Sequence, residues 1–188
     1  YLFMRKALLV GALLGIIIPC IGVIIVLKRL SMIGDALSHT SLAGVAIGLA
    51  AGINPVATAT VVCVISAFAI ELLRRKFPKY SELSIAIILS VGVGLASIFS
   101  GFINNAKGLE SFLFGSIVLI TDIETYLVIG VSVAVVVMFL LLYKELMHMT
   151  FSEESARLSG IPVEFVNFIF TILTAVTVSI SSRTVGAL

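Results

Sequence analysis

The sequence lacks tryptophan and has few charges, since 12% of its 188 residues are charged whereas 60% are hydrophobic. A soluble domain carries roughly a quarter charged residues. So few charges cannot cover a water-facing globule of this length, which excludes a soluble protein. Several runs of about 18 or more residues carry almost no charge and are long enough to cross a bilayer. The composition predicts an all-α polytopic transmembrane helix bundle.

Cysteine is also scarce, and the two residues present, Cys20 and Cys63, lie inside apolar runs without CxxC spacing. They are typical of small hydrophobic residues in a helix bundle and indicate neither a disulfide framework nor a metal centre. A net charge of +2 and the lack of basic–aromatic patterning argue against a nucleic-acid partner. The sequence has no GxxxxGK[ST] motif, so we expect any ATP hydrolysis to occur in a separate subunit.

Six spanning segments are predicted from the apolar runs. The stretch 110–120 is too short to cross and is expected to form an external or half-inserted helix. The segment 33–51 is the least apolar, so we expect the other helices to surround it. The predicted spans are 7–27, 33–51, 55–73, 83–103, 122–143 and 163–181.

Alternation of these spans sorts the basic residues between the two sides of the membrane. Eight of the twelve fall on one side, which the positive-inside rule assigns to the cytoplasm. Because the chain begins with Tyr1 and stops inside an apolar pattern, we expect residues 1–188 to be a single transmembrane domain cut at both ends. The cytoplasmic group is Lys28, Arg29, Arg74, Arg75, Lys76, Lys79, Lys144 and Arg157.

An aspartate and a histidine interrupt the second apolar segment. Asp35 and His39 are one helical turn apart and share a face. On a nearly opposite face, Gly44, Gly48 and Gly52 repeat every four residues, a pattern that lets another helix backbone approach closely. The segment is therefore predicted to have one closely packed face and one roomy face that carries the two polar groups.

Ionisable residues in membrane helices normally face a bundle interior or a wet cavity. A carboxylate and an imidazole at this spacing, here Asp35 and His39, are suitable ligands for zinc or manganese, and two ligands suit transient rather than permanent binding. In the alternative interpretation, Asp35 caps the start of the helix and His39 bonds to a neighbouring helix.

Three ordered stretches resemble the membrane permeases of zinc/manganese ABC transporters. "LKRLSMIGDALSHTSLAGVAIG" is similar to the family's Gly-Asp-Ala-x-Ser-His element and the small-residue helix that follows it. "ESFLFGSIVLITDIE" resembles its external Leu-Phe-Gly segment, and "MTFSEESARLSGIPV" resembles its cytoplasmic loop. The closing "TVGAL" looks like the start of the family's next span, so the resemblance covers nearly the whole chain.

The resemblance implies a permease that pairs as a dimer, most simply a homodimer, in the bacterial cytoplasmic membrane. An extracytoplasmic metal-binding protein would deliver Zn²⁺ or Mn²⁺ as the transported substrate, with zinc favoured, and cytoplasmic ATP-binding subunits would drive transport. No permanently bound cofactor is implied. The family's pore carboxylate and histidine fall on Asp35 and His39, which would form a metal-binding gate.

The loop 150–162 has the signals of a short, sharply bounded helix. Thr150 or Ser152 is a suitable N-cap, Gly160 a suitable left-handed C-terminal residue, and Pro162 prevents continuation. The resemblance implies that this segment is the cytoplasmic coupling helix that takes up ATPase motion; the alternative is an ordinary solvated loop. The expected contact residues are Glu153, Ala156, Arg157 and Gly160.

Three other functional classes fit the sequence less well. An intramembrane hydrolase would pair His39 with Ser38 or Ser41, but no HExxH motif or nucleophile turn is present. A secondary metal carrier or channel would need several carboxylates within the spans, and only Asp35 is placed centrally. A siderophore/cobalamin-type ABC permease would need a wide neutral path, and the Gly-Asp-Ala-x-Ser-His element is not its hallmark.

Overall fold

A computed structural model of the chain describes residues 2–103, 106–115 and 122–186, and this part consists of helices joined by short turns, with no strand. A 3₁₀ turn at Pro78–Tyr80 joins the third and fourth helices. In chain order the helices are α1 (Leu2–Leu27), α2 (Ile33–Ala51), α3 (Pro55–Lys76), α4 (Ser81–Ser100), α5 (Ala106–Leu113), α6 (Asp122–Phe151), α7 (Glu153–Leu158) and α8 (Val163–Thr184).

Six of these helices, α1, α2, α3, α4, α6 and α8, are long and apolar enough to cross a membrane, as the sequence predicts. The all-α polytopic fold class is therefore confirmed. The bounds of α2 coincide with the predicted segment, whereas α6 extends from the predicted end at 143 to Phe151. The apolar pattern stops at Lys144 and Glu145, but both are good helix formers, and the helix continues through them.

The helices form two groups that α8 joins. Buried residues of α1, α6, α7 and α8 form one apolar cluster around Ile24, Leu146 and Phe170. A second cluster, around Leu37 and Ile70, is built from α2, α3, α4 and α8. Since α8 contributes to both clusters, a displacement of α8 would reach both groups.

The second helix is the least apolar of the six and the most deeply buried, which confirms that the others surround it. Its glycines allow the close approach of α3. A Cβ placed on Gly44 would lie 2.6 Å from the Ala59 Cα, and one on Gly48 would lie 2.9 Å from the Pro55 Cα. Backbone atoms of α3 thus occupy the space that side chains on α2 would need.

The expectation that Gly52 belongs to this packing face requires correction. Gly52 follows the last residue of α2 and adopts the left-handed conformation, with φ of 68°, while its N–H bonds the Gly48 carbonyl. No atom lies within 4 Å of a Cβ built there. Its role is to end the helix, because glycine adopts positive φ without the penalty that a Cβ brings.

Hydroxyl pairs join α8 to the helices around it. Ser41 and Ser182 lie 3.0 Å apart between α2 and α8, and Thr60 and Ser179 lie 3.1 Å apart between α3 and α8. Apolar contact alone distinguishes poorly between a helix neighbour and lipid, so polar pairs of this kind help to specify which helices associate.

The short helix α5 lies beside the C-terminal ends of α2 and α8. Its eight residues span about 12 Å, too short to cross the bilayer. Phe112 packs with Val45 and Ala59, and the Arg183 guanidinium lies 4.5 Å from the centroid of the Phe112 ring. The rest of the predicted external segment, 116–120, lies outside the described residues.

We predict that Gly44→Ala destabilises the bundle, because the added methyl group would collide with the α3 backbone. Overpacking costs about 1–3 kcal/mol, which exceeds the gain of up to about 1 kcal/mol from replacing a helical glycine with alanine. Thermal unfolding of the detergent-solubilised protein, followed by size-exclusion chromatography, measures the effect.

The matched control is Gly94→Ala in α4, where no atom lies within 4 Å of the added Cβ. This control should leave the unfolding temperature unchanged or raise it. A Gly44→Ala variant as stable as Gly94→Ala would contradict the close approach of α2 and α3.

Candidate metal site and cytoplasmic face

Asp35 and His39 lie in the first two turns of α2. The helix begins at Ile33 after Met32, which makes no side-chain capping bond, so Asp35 is not the N-cap. In the first turn its carboxylate is favoured by the positive end of the helix dipole. The His39 Nε2 lies 3.6 Å from the Asp35 Oδ1, beyond ordinary hydrogen-bond length, and the two side chains share one side of the helix.

Both side chains are accessible although their neighbours are not. Asp35 is 52% exposed and His39 27% exposed, whereas Ala36 and Leu37 are completely buried. A carboxylate facing lipid would be costly, so this surface must meet water, an ion or another subunit. The pair therefore has the accessibility that a ligand for a mobile ion needs.

The face that carries the pair is less open than the sequence predicts. One and two turns beyond His39, Ala43 and Ala46 are completely buried. Asp35 and His39 lie about 3 and 9 Å along the helix axis from Ile33, so the accessible surface that holds them is limited to the first half of α2, and exposure returns only in the last turn. The prediction of a roomy face was wrong because small side chains leave room on the surface of α2 and neighbouring helices pack into that room.

The described part of the chain supplies no cluster of three or more His, Cys, Asp or Glu side chains suitable for a metal ion. A zinc site normally has four ligands, and catalytic sites retain three from protein. Asp35 and His39 therefore form an incomplete ligand set, and completion would require water or side chains from a second subunit.

A groove of about 260 Å³ opens beside the pair, between α1, α2 and α8. Gly34 and Ser38, the neighbours of Asp35 and His39 in sequence, line it together with Thr177 of α8. The Thr177 Oγ1 is buried and has no hydrogen-bond partner among the described residues. Sequence reasoning missed Thr177, for which the available signal was the density of hydroxyl residues in α8.

Two ordered caps bound α7, on the same side of the bundle as the end of α1. The Ser152 Oγ accepts a bond from the Ser155 N–H at 3.2 Å, so Ser152 rather than Thr150 is the N-cap. Thr150 instead bonds the Leu146 carbonyl in α6. At the other end Gly160 adopts φ of 80°, and the Ile161 N–H bonds the Ala156 carbonyl at 3.1 Å. The six-residue helix is thus closed at both ends.

The residues expected to contact an ATPase point in two directions. Glu153, Arg157 and Gly160 are exposed. Ala156, in contrast, is completely buried in the cluster formed with α1, α6 and α8. As a correction, Ala156 anchors α7 to the bundle and offers no surface to a partner, because its methyl group faces the apolar core.

Sequence reasoning missed two exposed apolar side chains, one just before α7 and one at its last residue. Phe151 is 86% exposed and Leu158 is 87% exposed. Both precede polar residues within an irregular pattern, so periodicity gave no sign of their exposure. Aromatic residues such as Phe151 are enriched at protein interfaces, and Leu158 adds exposed apolar area at the other end of α7.

A charged cavity of about 860 Å³ lies beside α7, lined by the cytoplasmic ends predicted for α1, α3, α4 and α8. Buried Glu71 pairs with Arg74 at 2.9 Å and with Arg75 at 3.2 Å, as its spacing to these residues favours. Arg75 also binds Glu164 at 3.1 Å and so links α3 to α8. These pairs fix the floor of the cavity.

Lys28 and Asn167 connect α7 to this cavity. The Lys28 Nζ donates to the Asn167 Oδ1, and the Asn167 Nδ2 donates to the Glu153 Oε1 at 3.4 Å. The Lys28 Nζ also lies 5.4 Å from the centroid of the Phe170 ring. Burial lowers the pKa of the Lys28 ammonium to about 8, against the opposing effect of the Glu153 carboxylate. Lys28 is therefore mostly charged at neutral pH.

Relatives of the chain among known proteins are named as membrane proteins of metal transport or uptake systems. The chain is 33% identical to the "Probable metal transport system membrane protein" of Treponema pallidum, over 100% of the chain and 71% of the relative. It is 32% identical to the manganese transport system membrane protein MntC of Listeria monocytogenes, over 99% and 66%. It is 33% identical to the high-affinity zinc uptake system membrane protein ZnuB of Haemophilus influenzae, over 97% and 70%.

A solved structure described as PsaBC from Streptococcus pneumoniae in complex with Fab superposes with a TM-score of 0.83 at 27% identity. The match covers 100% of this chain and 68% of that one. The chain thus spans between 66% and 71% of the lengths of these relatives. Its six apolar helices and its membrane-protein relatives make it a multi-pass protein of the bacterial cell membrane.

The family match extends over the entire chain, residues 1–188. It spans the three stretches on which the predicted resemblance rests, and that resemblance is confirmed. The chain belongs to the ABC 3 transport family, whose members are the membrane permease subunits of ABC transporters.

Proposed function

We propose that this chain is the permease subunit of an ATP-driven importer of a divalent transition metal and that Asp35 and His39 bind the ion in transit. The observation that carries the proposal is a carboxylate and an imidazole 3.6 Å apart on an accessible surface of an otherwise apolar helix. Relatives named for manganese and for zinc transport support the substrate class.

A second copy of the chain would complete the ligand set. Two copies related by a twofold axis would contribute two carboxylates and two imidazoles, the four ligands of a tetrahedral site. The exposure of Asp35 leaves room for such a partner. An ion held by two half-sites is released when the subunits separate, so a homodimer suits transit better than storage.

The proposed order of preference is zinc, then manganese. Imidazole is a favoured ligand of zinc, whereas manganese prefers oxygen ligands. Cellular selection would depend mainly on the extracytoplasmic metal-binding protein that delivers the ion. No resident cofactor is needed for this function, because the metal is cargo and ATP is hydrolysed by cytoplasmic subunits.

The proposed ATPase contact is α7, which the basic residues of its side of the bundle assign to the cytoplasm. Glu153, Arg157 and Gly160 contribute polar surface, and Leu158 contributes an exposed apolar anchor. Ala156 holds the helix against the bundle. A short helix with fixed ends would transmit a displacement from a nucleotide-driven partner, because no flexible loop would absorb that displacement.

We predict that His39→Ala in the full transporter lowers ATP-dependent uptake of Zn²⁺ and Mn²⁺ into proteoliposomes. Loss of even an outer-shell partner costs roughly 10–100-fold in metal affinity or activity, and loss of a ligand should cost at least as much. His148→Ala is the matched control, because His148 is the other histidine of the sequence and lies exposed at the end of α6.

Uptake that is unchanged in His39→Ala, or reduced equally in His148→Ala, would remove His39 from the path. Uptake by the unmodified transporter without ATP would contradict the importer mechanism itself. The metal taken up fastest at equal free concentration decides between zinc and manganese.

We also predict that Leu158→Ser weakens binding of the ATPase subunit. Loss of an apolar anchor worth about 2 kcal/mol corresponds to a decrease of roughly 30-fold in affinity. Binding of purified ATPase to the permease in nanodiscs measures the effect. Phe77→Ser is the control, since Phe77 is 48% exposed at the corner between α3 and α4. Equal weakening by both variants would contradict docking through α7.

A further inference from the structure

The polar chain of Lys28, Asn167 and Glu153 joins the ends of three helices, α1, α8 and α7, that also share one apolar cluster. Lys28 follows the last residue of α1, Asn167 lies in the second turn of α8, and Glu153 is the first residue of α7. An asparagine amide both accepts and donates, so Asn167 receives a bond from Lys28 and gives one to Glu153. Substituting a group that cannot do both would break the chain.

At one end, this network is attached to the helix that carries the metal pair. The Leu30 N–H bonds the Ile25 carbonyl and the Arg29 N–H bonds the Val26 carbonyl, each at 2.9 Å, closing the end of α1 tightly. Arg29 has φ of 57°, an unusual conformation for a residue other than glycine. The corner is therefore constrained, and a displacement of Lys28 would be passed to the start of α2.

The attachment continues into the first turns of α2. Leu30 and Ile33 are buried at 4% and 2% exposure, in the cluster formed with α3, α4 and α8. The Ile33 N–H bonds the Leu30 carbonyl at 2.9 Å, so the corner and the helix start are one hydrogen-bonded unit. Asp35 follows within the same turn, and His39 lies one turn further along.

At the other end, the network holds the proposed coupling helix. The buried residue of α7 is Ala156, whose single methyl group provides little apolar contact with the bundle. The Asn167–Glu153 bond adds a directional attachment at the N-terminus of α7. Apolar contacts tolerate sliding, whereas a hydrogen bond forms or breaks over a short distance, so a polar chain responds to a small movement of α7.

We propose that Lys28 and Asn167 are positioning residues that couple movement of α7 to the Asp35–His39 turn of α2. This inference rests on the proposed function, in which α7 binds the ATPase and the Asp35–His39 pair binds the ion. Neither Lys28 nor Asn167 contacts the metal pair directly. Their role is to keep ion release in step with ATP hydrolysis.

The test measures metal ions delivered per ATP hydrolysed, in proteoliposomes that contain the complete transporter, with Zn²⁺ and Mn²⁺ supplied separately. Asn167→Leu preserves side-chain size and removes both bonds, and Lys28→Met preserves the aliphatic stem and removes the donor. Each should lower the ratio on the order of tenfold, within the range of allosteric couplings. The ATPase rate should stay within about twofold, because neither Lys28 nor Asn167 is itself a residue of the proposed ATPase contact.

Glu164→Gln is the matched control, because Glu164 lies on the same helix and lines the same cavity but pairs with Arg75 instead. It should leave the ratio unchanged. The double variant of Lys28→Met and Asn167→Leu should be no worse than either single variant, since both break one chain.

An unchanged ratio in Asn167→Leu and Lys28→Met overturns the proposal, and so does a loss equal to that of Glu164→Gln. If transport and ATPase activity fall together, the network serves assembly and not coupling, and the proposal is again overturned. If Asn167→Leu fails to fold, Lys28→Met decides the outcome. A wild-type transporter that shows no ATP-dependent uptake would instead contradict the proposed function, so the two failures are distinguishable.

Discussion

The desolvation cost of a carboxylate and an imidazole on a membrane helix constrains the whole arrangement around α2. A helix that carries Asp35 and His39 is too polar to face lipid on all sides, and it is the most deeply buried of the six. To be surrounded it must let its neighbours approach closely, which explains why Gly44 and Gly48 meet the α3 backbone. Asp35 and His39 stay accessible, whereas the residues that follow them, 40–48, are mostly buried. The polar residues and the glycines of α2 are thus two parts of one solution.

The same desolvation cost applies to α8, whose many serine and threonine residues are unusual for a membrane helix. A helix rich in serine and threonine is poorly suited to lipid, but here, within the described residues, every hydroxyl group except that of Thr177 bonds either to a carbonyl of its own helix or to another helix. Each satisfied hydroxyl makes the position of α8 between the two groups more specific. Because α8 also contributes Phe170 to one cluster and Ala175 to the other, it is the element through which the groups share a core.

The sequence predicted features whose signals are local. The scarcity of charge predicted the six spans, and the glycine spacing predicted the contact of Gly44 and Gly48 with a neighbouring helix. The Gly160–Pro162 signal predicted the end of α7. Features set by tertiary packing were not accessible. Gly52 shares the spacing of Gly44 but lies just beyond the helix, and Ala156 faces inward because of where α7 meets the bundle.

The network around Lys28 shows why functional polar contacts are the hardest to predict. Lys28, Asn167 and Glu153 are separated by more than a hundred residues at the widest, and no periodicity connects them. Their meeting depends on the crossing of α1 and α8, which follows from apolar packing around Ile24 and Phe170. The apolar core therefore positions the polar chain, and in our proposal that chain transmits movement of α7 to α2. In the proposed function, Asp35 and His39 bind the ion on one side and release it on the other. That function needs such a connection, because two ligands alone cannot sense whether ATP has been hydrolysed.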